Sequence, residues 1–213
     1  MRTMTRRKLL SLYRRLLRAY GPQHWWPADT PFEVMVGAVL TQNTAWTNVE
    51  RAIANLTAQD CLTPDGILAL PPDQLAGHIR PSGYFNVKAR RLRNLCQWVM
   101  DSGGLRAIRR RNTAALRAEL LEVNGVGPET ADDILLYAFG RPVFVIDAYT
   151  RRLLRRVEWV DEDQDYETLR AAFETVLPPD ATLFNEYHAL IVRHGKEQCT
   201  DSRACRHCGV EGR

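Results

Sequence analysis

Apolar residues recur at intervals of three and four along almost the whole chain, the signature of helices that each bury one face. Leu9, Leu12, Tyr13, Leu16, Leu17 and Tyr20 mark the first of them, and Gly21-Pro22 stops it. The second is signed by chemistry as well as by pattern: Thr30 is placed to cap it, Pro31 takes the first helical position and Glu33 completes a capping box. Val34-Met35-Val36 and Ala38-Val39-Leu40 follow, apolar nearly all round, so this helix belongs inside a core rather than on its surface.

The same periodicity predicts helices over about 48–56, 64–69, 72–79, 87–100, 113–123, 128–139, 148–157, 166–177 and 181–194, with short loops between them. Only Pro142 to Ile146, with Val143-Phe144-Val145-Ile146 in sequence, reads as extended, and one such run cannot make a sheet. The expected fold class is all-α. Gly140-Arg141-Pro142 is where the chain is expected to leave one lobe and enter another.

Composition narrows the partners. A chain of 213 residues can bury a substantial core, and a net charge of +4 with a pI near 8.9 suits a polyanion without demanding one. No apolar run reaches the roughly 18 residues that would cross a membrane. The basic start is followed by leucines interrupted by Ser11, Tyr13, Arg14 and Arg15 rather than by the apolar stretch of a signal peptide, so a cytoplasmic protein is expected. The five cysteines do not form a secreted disulfide framework, because three crowd together as Cys199, Cys205 and Cys208. That spacing points to metal or cluster ligation, while Cys61 and Cys96 read as ordinary core or surface thiols.

The most informative stretch is Leu120-Leu121-Glu122-Val123-Asn124-Gly125-Val126-Gly127-Pro128-Glu129-Thr130-Ala131-Asp132. Two helices are joined here by a turn too tight for side chains. Gly125 and Gly127 permit positive φ and leave backbone N–H groups uncovered, and Pro128 opens the second helix with its positive end outward. Such a turn is shaped to hold an anion, the relevant one being a nucleic-acid phosphate, although an ordinary helix–helix turn uses the same glycines. Further on, Val143-Phe144-Val145-Ile146 delivers one carboxylate, Asp147, to the start of a basic helix. An N-cap role would account for that aspartate as well as a catalytic one.

Together these two segments resemble the endonuclease III-like, helix-hairpin-helix DNA glycosylase superfamily, whose pattern is Leu-x-Gly-Val-Gly followed by an aspartate after a short apolar segment. Val123 stands where the family usually has leucine. The likeness extends to Val36-Gly37-Ala38-Val39-Leu40-Thr41-Gln42-Asn43-Thr44, to Pro81-Ser82-Gly83-Tyr84-Phe85-Asn86-Val87-Lys88-Ala89 and to His194-Gly195-Lys196, covering nearly the whole chain. It implies a two-lobed, monomeric enzyme of base excision repair acting on duplex DNA with a damaged base. A helical barrel is expected over residues 30–141, with the hairpin at about 113–139, and a second lobe from residues 1–29 plus 142–213.

The resemblance also assigns roles. Asp147 matches the catalytic aspartate, which stabilises the positive charge that builds on the sugar as the N-glycosidic bond breaks. Bifunctional members carry a nucleophilic lysine where this chain has Glu129, and a carboxylate cannot form an imine, so lyase chemistry by that route is expected to be absent. Lys88 and Lys196 are the nearby lysines that could substitute, though neither sits on the expected helix. Gln42 is expected to fill the gap left by the flipped nucleotide and Tyr84 to wedge against the opposite strand. Gly125, Val126, Gly127 and Thr130 would meet the DNA backbone, and the carbonyls of Leu121, Val123 and Val126 match those that hold a monovalent cation. Arg151, Arg152, Arg155 and Arg156 are consistent with phosphate contacts or with a solvated face.

Trp25-Trp26-Pro27 and Trp46 concentrate three of the five tryptophans, and indole faces stack on a flipped base, holding a cationic one better still. With the Gln-Asn-Thr segment and the non-lysine hairpin, they resemble the 3-methyladenine glycosylase branch. The alternative is that Trp25 and Trp26 anchor the first helix to the core. Oxidised pyrimidines, uracil or thymine mismatches stay open as substrates, as does a non-catalytic module that recognises damaged duplex. Many relatives hold a 4Fe-4S cluster on four cysteines spaced x6, x2 and x5, whereas Cys199-x5-Cys205-x2-Cys208 is one residue short in its first gap and lacks the fourth thiolate. His207, an exogenous thiol or water would have to complete a cluster, zinc on these residues is a second option, and a metal-free tail a third.

Overall fold

The computed structural model describes residues 4–160 and 164–198. Among them no strand forms, and the fold is all-α. The elements are α1 (Arg6–Tyr20), α2 (Pro31–Leu40), α3 (Trp46–Thr57), α4 (Pro64–Ala69), α5 (Pro72–His78), α6 (Phe85–Asp101), α7 (Leu105–Ile108), α8 (Thr113–Glu122), α9 (Pro128–Asp133), α10 (Ala148–Arg156), α11 (Tyr166–Glu174) and α12 (Ala181–Glu197). The chain divides into two compact units, one of residues 28–139 and one that joins residues 1–27 to 140–213.

In the 28–139 unit, α2 is the central rod. Every residue from Phe32 to Leu40 except Glu33 is buried, as an all-round apolar helix requires, and α3, α6 and α9 pack around it. Its start follows the sequence signal closely: Thr30 Oγ accepts the Glu33 N–H at 3.1 Å, while the Glu33 carboxylate reaches back to the N–H of Asp29 rather than of Thr30. The expected helix over 128–139 is two pieces, α9 and then a π-helical turn over Ile134–Ala138. All of that turn except Tyr137 is buried. Helix α7 has no counterpart in the periodicity, since four residues between Gly104 and a run of arginines show no repeat.

In the other unit, α1 and α10 both pack on α12. An aromatic cluster holds it: Phe144 stacks on Phe173 with centroids 3.9 Å apart and meets Phe184 and Tyr187 edge-on. The buried Tyr187 hydroxyl donates to the Leu9 carbonyl at 2.9 Å, which ties α12 to α1. Residues 142–146 are extended as the sequence predicts, buried from Val143 to Ile146, and lie in no ladder. A buried backbone needs partners. The Phe144 N–H donates to Glu174 at 2.8 Å and the Ile146 N–H to the Tyr166 hydroxyl at 3.4 Å, both from α11.

Candidate functional site

Asp147 ends that extended segment and caps α10, its Oδ1 accepting the Thr150 N–H at 2.7 Å. The other carboxylate oxygen lies 3.7 Å from Nε2 of His188, a buried residue of α12. Burial alone would push the Asp147 carboxyl up, but the His188 imidazole and the Thr150 hydrogen bond outweigh it and hold the group below its ordinary value. The side chain is therefore an anion at neutral pH, held by the Thr150 N–H with the imidazole beside it. It is suited to face a developing positive charge and poorly suited to carry a proton.

What sets α10 against α12 is a missing side chain. A methyl group on Gly195 would overlap the ring of Tyr149, so only glycine lets that ring lie on the helix. The Arg152 guanidinium lies over the ring, 5.0 Å from its centroid, and donates to the Gly195 carbonyl at 3.3 Å. Arg151 donates to the Gln164 carbonyl at 2.7 Å. These two arginines each give a donor to the protein's own backbone.

The hairpin links α8 to α9 within the 28–139 unit. Gly125 has φ +101°, a conformation that disfavours any side chain, and the Val126 N–H closes the turn on the Val123 carbonyl at 2.9 Å. Gly127 and Glu129 are exposed, whereas the side chains of Val123 and Val126 are buried. Below the turn, Arg117 of α8 grips the fully buried Asp132 of α9 through two bonds of 2.7 and 3.1 Å, which pins the helices together. Thr130 is also buried, and its hydroxyl accepts the Gln42 amide at 2.9 Å. The Thr130 side chain is thus engaged inside the protein.

Gln42 lies in the loop after α2. Its Nε2 donates to the Gly125 carbonyl at 3.2 Å as well as to Thr130, and its Oε1 accepts from Arg91 of α6. Tyr84, the residue before α6, has φ +46° and is 74% exposed, so the turn holds a large aromatic ring out in solvent. Lys88 is 1% exposed, and its ammonium donates to the carbonyls of Leu40 at 2.8 Å and Ser82 at 2.7 Å. Those carbonyls belong to the segments that carry Gln42 and Tyr84. Burial and the neighbouring Arg91 charge depress the Lys88 pKa to about 8. A side chain held in this way is not available as a substitute nucleophile.

Trp25 and Trp26 lie side by side in the unit that holds Asp147, their centroids 5.4 Å apart. The Lys196 ammonium sits 5.9 Å from the Trp25 ring, and the two border a cleft of about 220 Å³ with Gln23, Ala189, Val192, Arg193 and Glu197. Trp46 opens α3 in the other unit and donates its indole N–H to Glu50 at 2.8 Å. Cys199, Cys205, Cys208 and His207 lie outside the described residues. Among those described, no cluster of histidine, cysteine or acidic side chains could hold a metal, and no helix is long and apolar enough to cross a membrane.

An anionic aspartate at a helix start and a glycine hairpin with a solvent-facing turn, in an all-α fold, are the parts of a base-excising enzyme. The chain belongs to the HhH-GPD superfamily of base excision DNA repair proteins, whose pattern matches residues 36–179, and it is a DNA glycosylase. It is 47% identical to MJ1434 of Methanocaldococcus jannaschii, a presumed DNA repair glycosylase, over 95% of this chain and 94% of that one. Endonuclease III of Thermotoga maritima is 27% identical over 92% of this chain and 87% of its own. Among solved structures, the 3-methyladenine DNA glycosylase MagIII of H. pylori, bound to 1,N6-ethenoadenine, superposes with a TM-score of 0.74 at 30% identity. The match covers 91% of this chain and 98% of MagIII. An endonuclease III in non-covalent complex with DNA shares the fold with a TM-score of 0.82 at 22% identity, over 98% and 94%.

Three participants escape a reading of the sequence: His188, Arg91 and the structural use of Lys88. Each acts on a residue far away along the chain, and no local pattern announces it. The one available signal is Lys88, a lone charge beside Ala89 on a face that is otherwise apolar.

Proposed function

We propose that the enzyme is a monofunctional glycosylase that hydrolyses alkylated purines, 3-methyladenine above all, from duplex DNA. The observation that carries this reading is the pairing of an anionic, helix-capping Asp147 with a hairpin that offers Glu129 where a lysine nucleophile would stand. The C1′–N bond breaks with both electrons passing to the base, which leaves an N-alkylated purine neutral and needs no proton from the protein. Asp147 stabilises the oxocarbenium ion, and water adds to C1′ while its proton passes to solvent. The hairpin turn would hold a phosphate, Gln42 and Tyr84 would keep the duplex open, and Trp25 and Trp26 would receive the base with Trp46. The similarity to MagIII, at 30% identity over nearly its whole length, supports the same substrate class.

A second reading, excision of oxidised pyrimidines with strand cleavage, draws on the similarity to endonuclease III. Lys88 does not serve it, since its ammonium is buried between two carbonyls. The deciding experiment measures base release from duplexes carrying 3-methyladenine, uracil, a G·T mismatch or thymine glycol, with and without alkali. Alkylpurine release with strand breaks only after alkali supports the proposal. Breaks without alkali replace it with the second reading, and release of another base alone overturns the alkylated-purine substrate. Cys199, Cys205 and Cys208 enter no step of this reading.

A further inference from the structure

One face of α6 reaches three loops in succession. Lys88 ties the Leu40 and Ser82 carbonyls, Arg91 reaches Gln42, and Asn94 donates to the Asn124 carbonyl of the hairpin at 3.0 Å. The spacing of three residues puts all of them on one side of the helix. Arg91 is the central member and makes two different contacts. Its guanidinium donates to the Gln42 side chain, and its aliphatic stem lies so close to Gly125 that a methyl group there would overlap Cβ, Cγ and Cδ. Gln42 in turn donates to the Gly125 carbonyl and to Thr130. The amide is thus held from both ends, its oxygen by α6 and its nitrogen by the hairpin.

We propose that Arg91 is a positioning residue that fastens Gln42 to the hairpin turn, so that gripping a backbone phosphate and filling the gap in the duplex become one event. This rests on the roles proposed above for Gln42 and the hairpin. A glutamine side chain has three rotatable bonds, and ordering it only when DNA opens would cost binding energy. A charge-assisted hydrogen bond that orders it beforehand removes that cost, and removes it only where the duplex has a gap to fill. Undamaged duplex, which offers none, gains nothing from the arrangement.

The test compares equilibrium binding to a duplex containing one tetrahydrofuran abasic analogue with binding to the same sequence undamaged. Arg91→Ala is expected to lose about tenfold on the abasic duplex, the scale of one charge-assisted hydrogen bond, while keeping its affinity for undamaged DNA and its salt dependence. Gln42→Ala should lose a similar factor, and the double variant should be no weaker than either single one, because both break the same link. Arg91→Lys keeps the charge and packing and should recover part of the preference, which separates positioning from folding. Equal losses on both duplexes, with a shallower salt dependence, would make Arg91 a phosphate contact and overturn the inference, as would additive losses in the double variant. A wild-type protein with no preference for the abasic duplex would overturn the proposed roles along with it.

Discussion

His188 Nε2 stands 3.7 Å from the Oδ2 of Asp147, so a half-buried carboxylate that already caps a helix has an imidazole beside its second oxygen. Capping and catalysis are therefore separable by substitution. Asparagine caps a helix about as well as aspartate but carries no charge. Asp147→Asn should keep the melting temperature close to wild type and lower the rate of base release by about a hundredfold or more, the scale of losing a preorganised electrostatic partner. Asp147→Ala should lose the rate and about 1 kcal/mol of stability besides, read by denaturant melts. Full activity in the asparagine variant would remove Asp147 from the chemistry.

The depressed pKa of Asp147 also fixes the sign of an acid effect. Its folded-state pKa lies below the ordinary value of 3.8, so the stability it contributes is complete above that value and fades as pH falls toward the lower folded one. In chemical melts, any margin of wild type over Asp147→Asn should shrink as pH falls below about 4.

Lys88 follows the same sign in a higher pH window. Its folded pKa of about 8 lies below the ordinary 10.5, so the folded protein gives up this proton while the unfolded chain still holds it. Stability from this site should rise between about pH 8 and pH 10.5. A neutral amine still has two N–H groups for the two carbonyls. Compared with Lys88→Met across that range in urea melts, the wild-type margin should widen with pH, and a margin that narrows would contradict the assignment.

Much of the fold was legible because its rules are local. Thr30, Pro31 and Glu33 signed the start of α2, and the all-round apolar run that followed placed it in the core. Asp147 and the Gly125 turn were legible for the same reason, each embedded in a short pattern. The chemistry of α6 was not: Arg91 looks like one more surface charge in a basic helix, Lys88 on the apolar face names no partner, and only the folded chain brings Leu40, Ser82, Gln42 and Gly125 to meet them. The π-helical turn after α9 was hidden too, because apolar residues at helical spacing look alike whichever hydrogen-bond register they adopt.

The Arg117–Asp132 pair offers a stability prediction at the base of the hairpin. Asp132 is fully buried, so Arg117→Met would deprive it of both charge-assisted bonds and should cost about 3 kcal/mol or more, measured by denaturant unfolding. Arg117→Met combined with Asp132→Leu should be milder than Arg117→Met alone, since no buried charge is then left behind.

Covalent trapping tests the absence of an imine. Borohydride should fix no enzyme to a damaged duplex in wild type, and Glu129→Lys, which supplies an amine on the exposed hairpin helix, is the variant expected to gain a trapped species. A trapped wild-type complex that disappears in Lys196→Ala would identify the nucleophile instead.

The segment that ends at Asp147 has a consequence for how this enzyme would fail. Its buried backbone is held by Glu174 and Tyr166 rather than by a neighbouring strand. Inherited changes at those two places on α11 would leave Asp147 itself untouched in the gene. They would still strip buried N–H groups of their acceptors, cost stability and free the segment that aims the carboxylate, so the damage would surface as lesions left in DNA.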